Sequence, residues 1–100
     1  MTNELIKYSL MFKALSDENR LKIVELLYEE GELCGCKLLE NFNITQPTFS
    51  YHMKYLTESG MVIAKKKGSW IYYTLNKDNF SKLIKYLKYK CKEELIYEKS

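Results

Sequence analysis

Three cysteines carry the most distinctive chemistry of this sequence, and two of them, Cys34 and Cys36, stand one residue apart in "ELCGCKLL". Thiolates are soft donors that select thiophilic ions. On a regular helix each residue turns about 100° from the last, so a helical Cys34 and Cys36 point to roughly opposite sides and cannot grip one ion without bending the helix. Gly35 between them tolerates backbone angles that a side chain forbids and weakens a helix. The pair is badly placed for a static site and well placed for a switch. Cys91, the third cysteine, is a possible third ligand. It falls on the apolar face expected of a C-terminal helix, where a free cysteine is most often a small buried hydrophobe. His52 is the only histidine, so it has no imidazole partner for a metal site of its own.

A second group of residues suits nucleic acid. The net charge of +3 is too small to establish such a partner, but Lys65, Lys66 and Lys67 are adjacent and no acid lies between Glu58 and Asp78. A local basic patch is what phosphate binding needs. Upstream, "TQPTFSYHMKYLTESG" places Phe49, Met53 and Leu56 at helical spacing for a buried stripe. Gln46, Thr48, Ser50, Tyr51 and Lys54 are then left outward. Glutamine pairs bidentately with adenine, and threonine and serine reach base edges; Tyr51 and Lys54 suit phosphate oxygens.

The elements that must position these residues follow from periodicity and caps. A first helix is expected over roughly residues 4–15, with Leu5, Tyr8, Phe12 and Leu15 on one face. "SDENRLKIVELLYEEG" reads as a second helix capped by Ser16 or Asp17, repeating Leu21, Val24, Leu27 and Tyr28, and ended by Gly31. "CKLLENF" gives a short third helix. The fourth, about residues 45–59, has Thr45 as N-cap and Pro47 in its first turn, where a missing N–H costs nothing. Residues 62–75 read as a tight hairpin around Gly68 and Ser69, with the three lysines at its tip and Trp70 supporting it by packing. A last helix, about residues 78–97, carries Phe80, Ile84, Leu87, Cys91 and Leu95 on one face. The order is that of a winged helix-turn-helix: one mainly α domain over residues 1–100, with a small β-hairpin as wing and residues 45–59 as recognition helix.

Composition narrows the class. Apolar residues make up 46% of the 100 residues, which fits a globular chain rather than a disordered one. No stretch approaches the ~18 apolar residues of a membrane span, and the N-terminal stretch, with Glu4, does not resemble a secretory signal. A cytoplasmic protein with reduced thiols is expected. With neither a Gly-rich phosphate loop nor a Cys-His-acid grouping, an enzyme is not.

"ALSDENRLKIVELL", "GELCGCKLLENF", "TQPTFSYHMKYLTESGMV" and "KKKGSWIYYTL" resemble, in order and spacing, the ArsR/SmtB family of bacterial metal sensors. The "ELC-x-C" block resembles its arsenite- and antimonite-responsive branch. The resemblance implies a DNA-binding repressor, homodimeric through its terminal helices, whose wing holds Lys65, Lys66 and Lys67. It also implies a His52 at the DNA-facing edge touching phosphate, or packed inside the helix-turn-helix. As(III) and Sb(III) take three sulfurs in a pyramid, whereas zinc prefers four ligands and the Asp/His pattern of zinc-sensing relatives is missing from the last helix. Arsenite or antimonite is therefore the expected inducer, with no cofactor needed for DNA binding. Arsenite-responsive relatives often carry a third cysteine where Leu39 stands here, which leaves the third ligand open. The rival expectation keeps the DNA binding but has the thiols sense oxidants, reactive sulfur or another thiophilic ion.

Overall fold

A computed structural model describes residues 2–91, in which five helices and three strands succeed one another as α1 (Asn3–Leu15), α2 (Glu18–Glu30), β1 (Glu32–Cys34), α3 (Gly35–Leu39), α4 (Gln46–Glu58), β2 (Val62–Lys67), β3 (Trp70–Leu75) and α5 (Lys77–Lys90). Helix starts are set by side-chain caps that take up otherwise unpaired amide donors. Thr2 accepts from Leu5 N–H at α1, Asp17 from Arg20 N–H at α2, Thr45 from Thr48 N–H at α4 and Asn76 from Asn79 N–H at α5. Gly31, at φ 86°, ends α2 in a conformation that side chains rarely adopt.

The core lies between α1, α2, α4 and the sheet. Ile23, Leu27, Leu38, Phe49, Met53, Leu56 and Met61 are all buried within it. The stripe of Phe49, Met53 and Leu56 faces inward as its spacing predicts, and each such side chain contributes about 1.5–3 kcal/mol by leaving water. The first two helices bury only part of their expected stripes, Tyr8, Leu15, Val24 and Leu27 packing inward. α1 buries Met11 and Ala14, while Leu5, Ile6, Leu10 and Phe12 stay exposed; α2 buries Arg20, Ile23, Val24 and Leu27 and leaves Leu21 and Tyr28 outside. α5 begins at Lys77 and buries Leu83, with Phe80 packed against the core and Ile84 and Leu87 exposed. Leu95 and the end of the expected last helix lie outside the described residues.

The sheet is larger than the expected hairpin. Its order is β1-β3-β2, antiparallel throughout, with Glu32 opposite Thr74, Leu33 opposite Tyr73 and Cys34 opposite Tyr72. β1 is three residues long and shows no period of its own. It is a strand because β3 offers it a free edge. α3 follows directly as Gly35–Leu39, with Glu40 as its C-cap, and does not reach Phe42. In the hairpin itself, Gly68 takes φ 64° as first turn residue between paired Lys67 and Trp70. The result is a winged helix-turn-helix: mainly helical, with a three-stranded antiparallel sheet.

Candidate thiol site and nucleic-acid interface

β1 changes the geometry of the cysteine pair. Cys34 is the last residue of the strand and the N-cap of α3, with extended backbone at φ −73° and ψ 150°, and only Cys36 is helical. The expected opposition of two helical side chains therefore does not occur. The Cα atoms are 5.4 Å apart and the sulfurs are joined in a Cys34–Cys36 disulfide. The strand-to-helix turn is what brings the sulfurs to one side. Cys34 is buried at 8% exposure and Cys36 is exposed, so the pair sits at the rim of the core.

Gly35 has a different role from the expected one. Its φ is not positive; instead it permits close approach. A methyl group at Gly35 would stand 3.2 Å from Tyr73 Cε2 and 3.9 Å from Phe49 Cε2. A side chain at the position between the two thiols would thus meet a strand of the wing and the inner face of α4 together. Burial raises the pKa of the Tyr73 phenol above its ordinary value, so this side chain is neutral where it packs.

Among the described residues no group of three His, Cys, Asp or Glu side chains gathers to hold an ion. Cys91 is exposed at the C-cap of α5, its Sγ 3.5 Å from the Leu87 carbonyl oxygen, and is not the buried hydrophobe expected. Leu39 is half-buried and packed on the core. Reduced, Cys34 and Cys36 would present two thiolate sulfurs from this turn, the soft donors that thiophilic ions select.

On the opposite side of α4 the polar residues form one exposed surface. Gln46, Thr48, Ser50, Tyr51 and Lys54 are all exposed. Gln46 Nε2 donates to Ser50 Oγ at 3.4 Å and Thr45 Oγ1 to Thr48 Oγ1 at 3.0 Å. Lys54 lies 4.0 Å from Glu58.

His52 departs from that surface. It is 7% exposed and sits between α4 and α2, its Nδ1 3.0 Å from Arg20 Nη1 and 3.9 Å from Asp17 Oδ2. Arginine has donors only, so the nearer contact makes Nδ1 an acceptor and puts the ring proton on Nε2. Asp17 is already engaged as helix cap. Of the two sequence readings of His52, the packed one is that of the structure. Arg20, which sequence reasoning passed over, is the hub. Its Nε donates to the Ala14 carbonyl at 2.8 Å, closing the end of α1, and its guanidinium lies 4.2 Å over the Tyr55 ring. The signal was available: Arg20 is the one arginine among 16 basic residues and falls on the buried stripe of α2.

The three lysines run along the second half of β2, opposite Tyr72, Ile71 and Trp70, and only Lys67 flanks the turn itself. Lys65 and Lys66 are exposed. Lys67 is bound: its Nζ is 2.8 Å from Glu32 Oε1 of β1 and 4.8 Å from the centre of the Tyr72 ring. No acid adjoins the lysines in sequence, yet β1 supplies one. Trp70 is 56% exposed rather than packed, and lines an open cleft of 590 Å³ between α4 and the wing.

Comparison with known proteins accords with this architecture. Residues 17–64 match the family described as "Bacterial regulatory protein, arsR family". The arsenical resistance operon repressor of Bacillus subtilis is 41% identical over 80 residues, which span 80% of this chain and 76% of that one. The protein of the same description from Staphylococcus aureus is 48% identical over 68% of this chain and 64% of its own length. Among solved structures, the transcriptional repressor BigR from Xylella fastidiosa superposes with a TM-score of 0.64 at 30% identity, over 91% of this chain and 97% of that one. An ArsR-like transcriptional regulator from Rhodococcus shares the fold, with a TM-score of 0.81 at 23% identity over 92% and 86% of the two chains. This chain belongs to the arsR family of bacterial regulatory proteins.

Proposed function

We propose that the protein is a DNA-binding repressor that leaves its operator when the reduced Cys34 and Cys36 thiolates capture As(III) or Sb(III). The single observation that carries this reading is the position of Gly35, between the two thiols and in contact range of both Tyr73 in the wing and Phe49 in α4. Ligation at Cys34 and Cys36 acts on the β1–α3 turn. Any displacement of that turn presses on the two elements that would meet DNA. A coupling of about 1–3 kcal/mol, usual for allostery, lowers operator affinity roughly 5–150-fold. α4 enters the major groove with Gln46, Thr48 and Ser50 toward base edges and Tyr51 and Lys54 toward phosphates; Lys65 and Lys66 hold the backbone from the wing. Relatives described as arsenical resistance operon repressors support the choice of ion.

The test is a titration of arsenite into the reduced protein on its own promoter. Cys34→Ser and Cys36→Ser each keep DNA binding and lose release, and Cys91→Ser responds as the parent does. A double Cys34→Ser, Cys36→Ser variant that still leaves DNA on arsenite would overturn the mechanism. The sulfur–sulfur contact favours one second reading: a peroxide takes two electrons from the dithiol, giving the Cys34–Cys36 bond and two waters, and the disulfide is the form that leaves DNA. Release by peroxide, but not by arsenite under a phosphine reductant, would select it.

A further inference from the structure

The wing leaves its largest apolar side chain, Trp70, exposed, with Ile71 exposed beside it. Among the described residues the indole stacks on no other ring and carries no cation. Lys67, its partner across the strand pair, is drawn instead to Glu32 and the Tyr72 ring. A side chain so placed does little for the wing itself, and tryptophan is enriched where a binding partner supplies the missing contact. The open cleft of 590 Å³ shows which partner fits. One wall carries Gln46, Ser50 and Lys54 of α4, and the facing wall Ser69, Trp70 and Ile71 of the hairpin. The indole is thus continuous with the polar surface of α4.

Resting on the DNA-binding reading above, we infer that Trp70 is a minor-groove contact, laid against the sugars of the DNA strand that runs between α4 and the wing. Adjacent grooves of a duplex are divided by a single backbone. With α4 in the major groove, the backbone beside it falls in the cleft, and the hairpin reaches the minor groove beyond. The phosphates of that strand meet Lys54 from α4 and Lys66 from β2. Lys66 is opposite Ile71 in the register, and opposed residues share one face of a sheet, so this lysine stands on the side that lines the cleft. Deoxyribose is uncharged and mostly carbon, which suits Trp70 and Ile71. No acid lies between Glu58 and Asp78 to repel the strand, and Glu32, the acid that reaches the wing lysines, is paired with Lys67. The lysines give the part of binding that salt weakens, through counterion release, and the indole gives a part that salt leaves alone.

Trp70 is the only tryptophan of the chain, so its emission reports on this contact without a label. The full chain, kept reduced by a phosphine, is bound to its promoter DNA, with Trp70→Ala and Trp70→Phe alongside. Acrylamide quenching follows the indole, hydroxyl-radical cleavage reads the sugars from the minor groove, and methylation of guanine N7 reads the major groove. The expected result for the parent is an indole shielded from acrylamide on DNA. Trp70→Ala should bind about tenfold more weakly at every salt concentration, with the slope of log affinity against log salt unchanged. It should lose sugar protection at the flank of each half-site while guanine N7 stays protected, and Trp70→Phe, which keeps a flat apolar ring, should recover most of both losses. A side chain that only braced the wing would lower the melting point of Trp70→Ala and give no shielding in the parent. An indole equally open to acrylamide on and off DNA, or a Trp70→Ala footprint matching that of the parent, overturns the inference and leaves the DNA-binding reading standing. A parent that protects neither groove of its promoter overturns both.

Discussion

At the scale of single residues, Arg20 and His52 matter because one side chain closes three elements. The guanidinium joins the end of α1, the start of α2 and the buried side of α4. Removing the His52 ring leaves a buried donor without a partner, which costs about 1–3 kcal/mol. His52→Ala should therefore lower the thermal midpoint, by roughly 4–8 °C for each kcal/mol in a domain of this size. It should leave the slope of log affinity against log salt unchanged, because no phosphate contact is lost. Melting curves and a salt series of DNA affinities measure the two effects separately. A slope reduced by about one, with the melting point intact, would return His52 to the DNA surface. Gly35→Ala belongs to the same scale. Its methyl must displace Tyr73 by a few tenths of an ångström, so this variant should bind DNA more weakly before any ion is added, as a partial mimic of the liganded turn.

At the scale of elements, the wing is a three-stranded unit in which β1 holds Lys67 through Glu32. Each lysine that neutralises a phosphate contributes about 0.9 to the salt slope on duplex DNA. Lys65→Ala and Lys66→Ala should each flatten the slope by about one, and Lys67→Ala by less, since its charge is already partnered. Glu32→Gln should release Lys67 and strengthen binding to all sequences at low salt. Gln46→Ala should instead relax sequence preference at one base step, read by comparing operator variants. Helix order, α4 with its buried stripe and the hairpin turn were legible because each is written locally, in caps, glycines and spacing. β1 was not. A strand of three residues exists only through pairing with residues about forty positions later, and that pairing decided both the shape of the cysteine site and the partner of Lys67. The side chains read as outward on α4 are exposed, whereas the sequence left His52 between two readings because its burial depends on Arg20 from α2.

At the scale of the whole molecule, the described chain leaves an apolar surface that one small domain does not cover. Leu5, Ile6, Leu10 and Phe12 on α1 are exposed, as are Ile84 and Leu87 on α5. The two helices run together, Tyr8 stacking on Tyr86 with ring centres 4.6 Å apart and Phe12 6.3 Å from the same ring. The two helices thus meet through these rings, and Ile84 on α5 lines a groove with Val24, Tyr28 and Leu75. A second copy of the chain is the occupant expected from the family resemblance, and two-fold pairing would bury the surface on both partners. Such a dimer carries two recognition helices and reads half-sites about one helical turn, or a multiple of that, apart. Linkage raises the local concentration of the second helix once the first has bound, so monomeric variants should lose operator affinity far beyond any change in a single half-site. Ile84→Glu and Leu87→Glu place charges on this surface without touching the buried Leu83. In sedimentation equilibrium they should shift the protein to monomer, and in footprinting they should reduce protection to one weakly bound half-site. Their Cys34 and Cys36 thiols should still take up arsenic, because nothing in the two-sulfur site comes from this face. A variant that turned monomeric and lost arsenic binding as well would mean that the partner subunit supplies a ligand, and the metalloid site would then have to be drawn across the dimer.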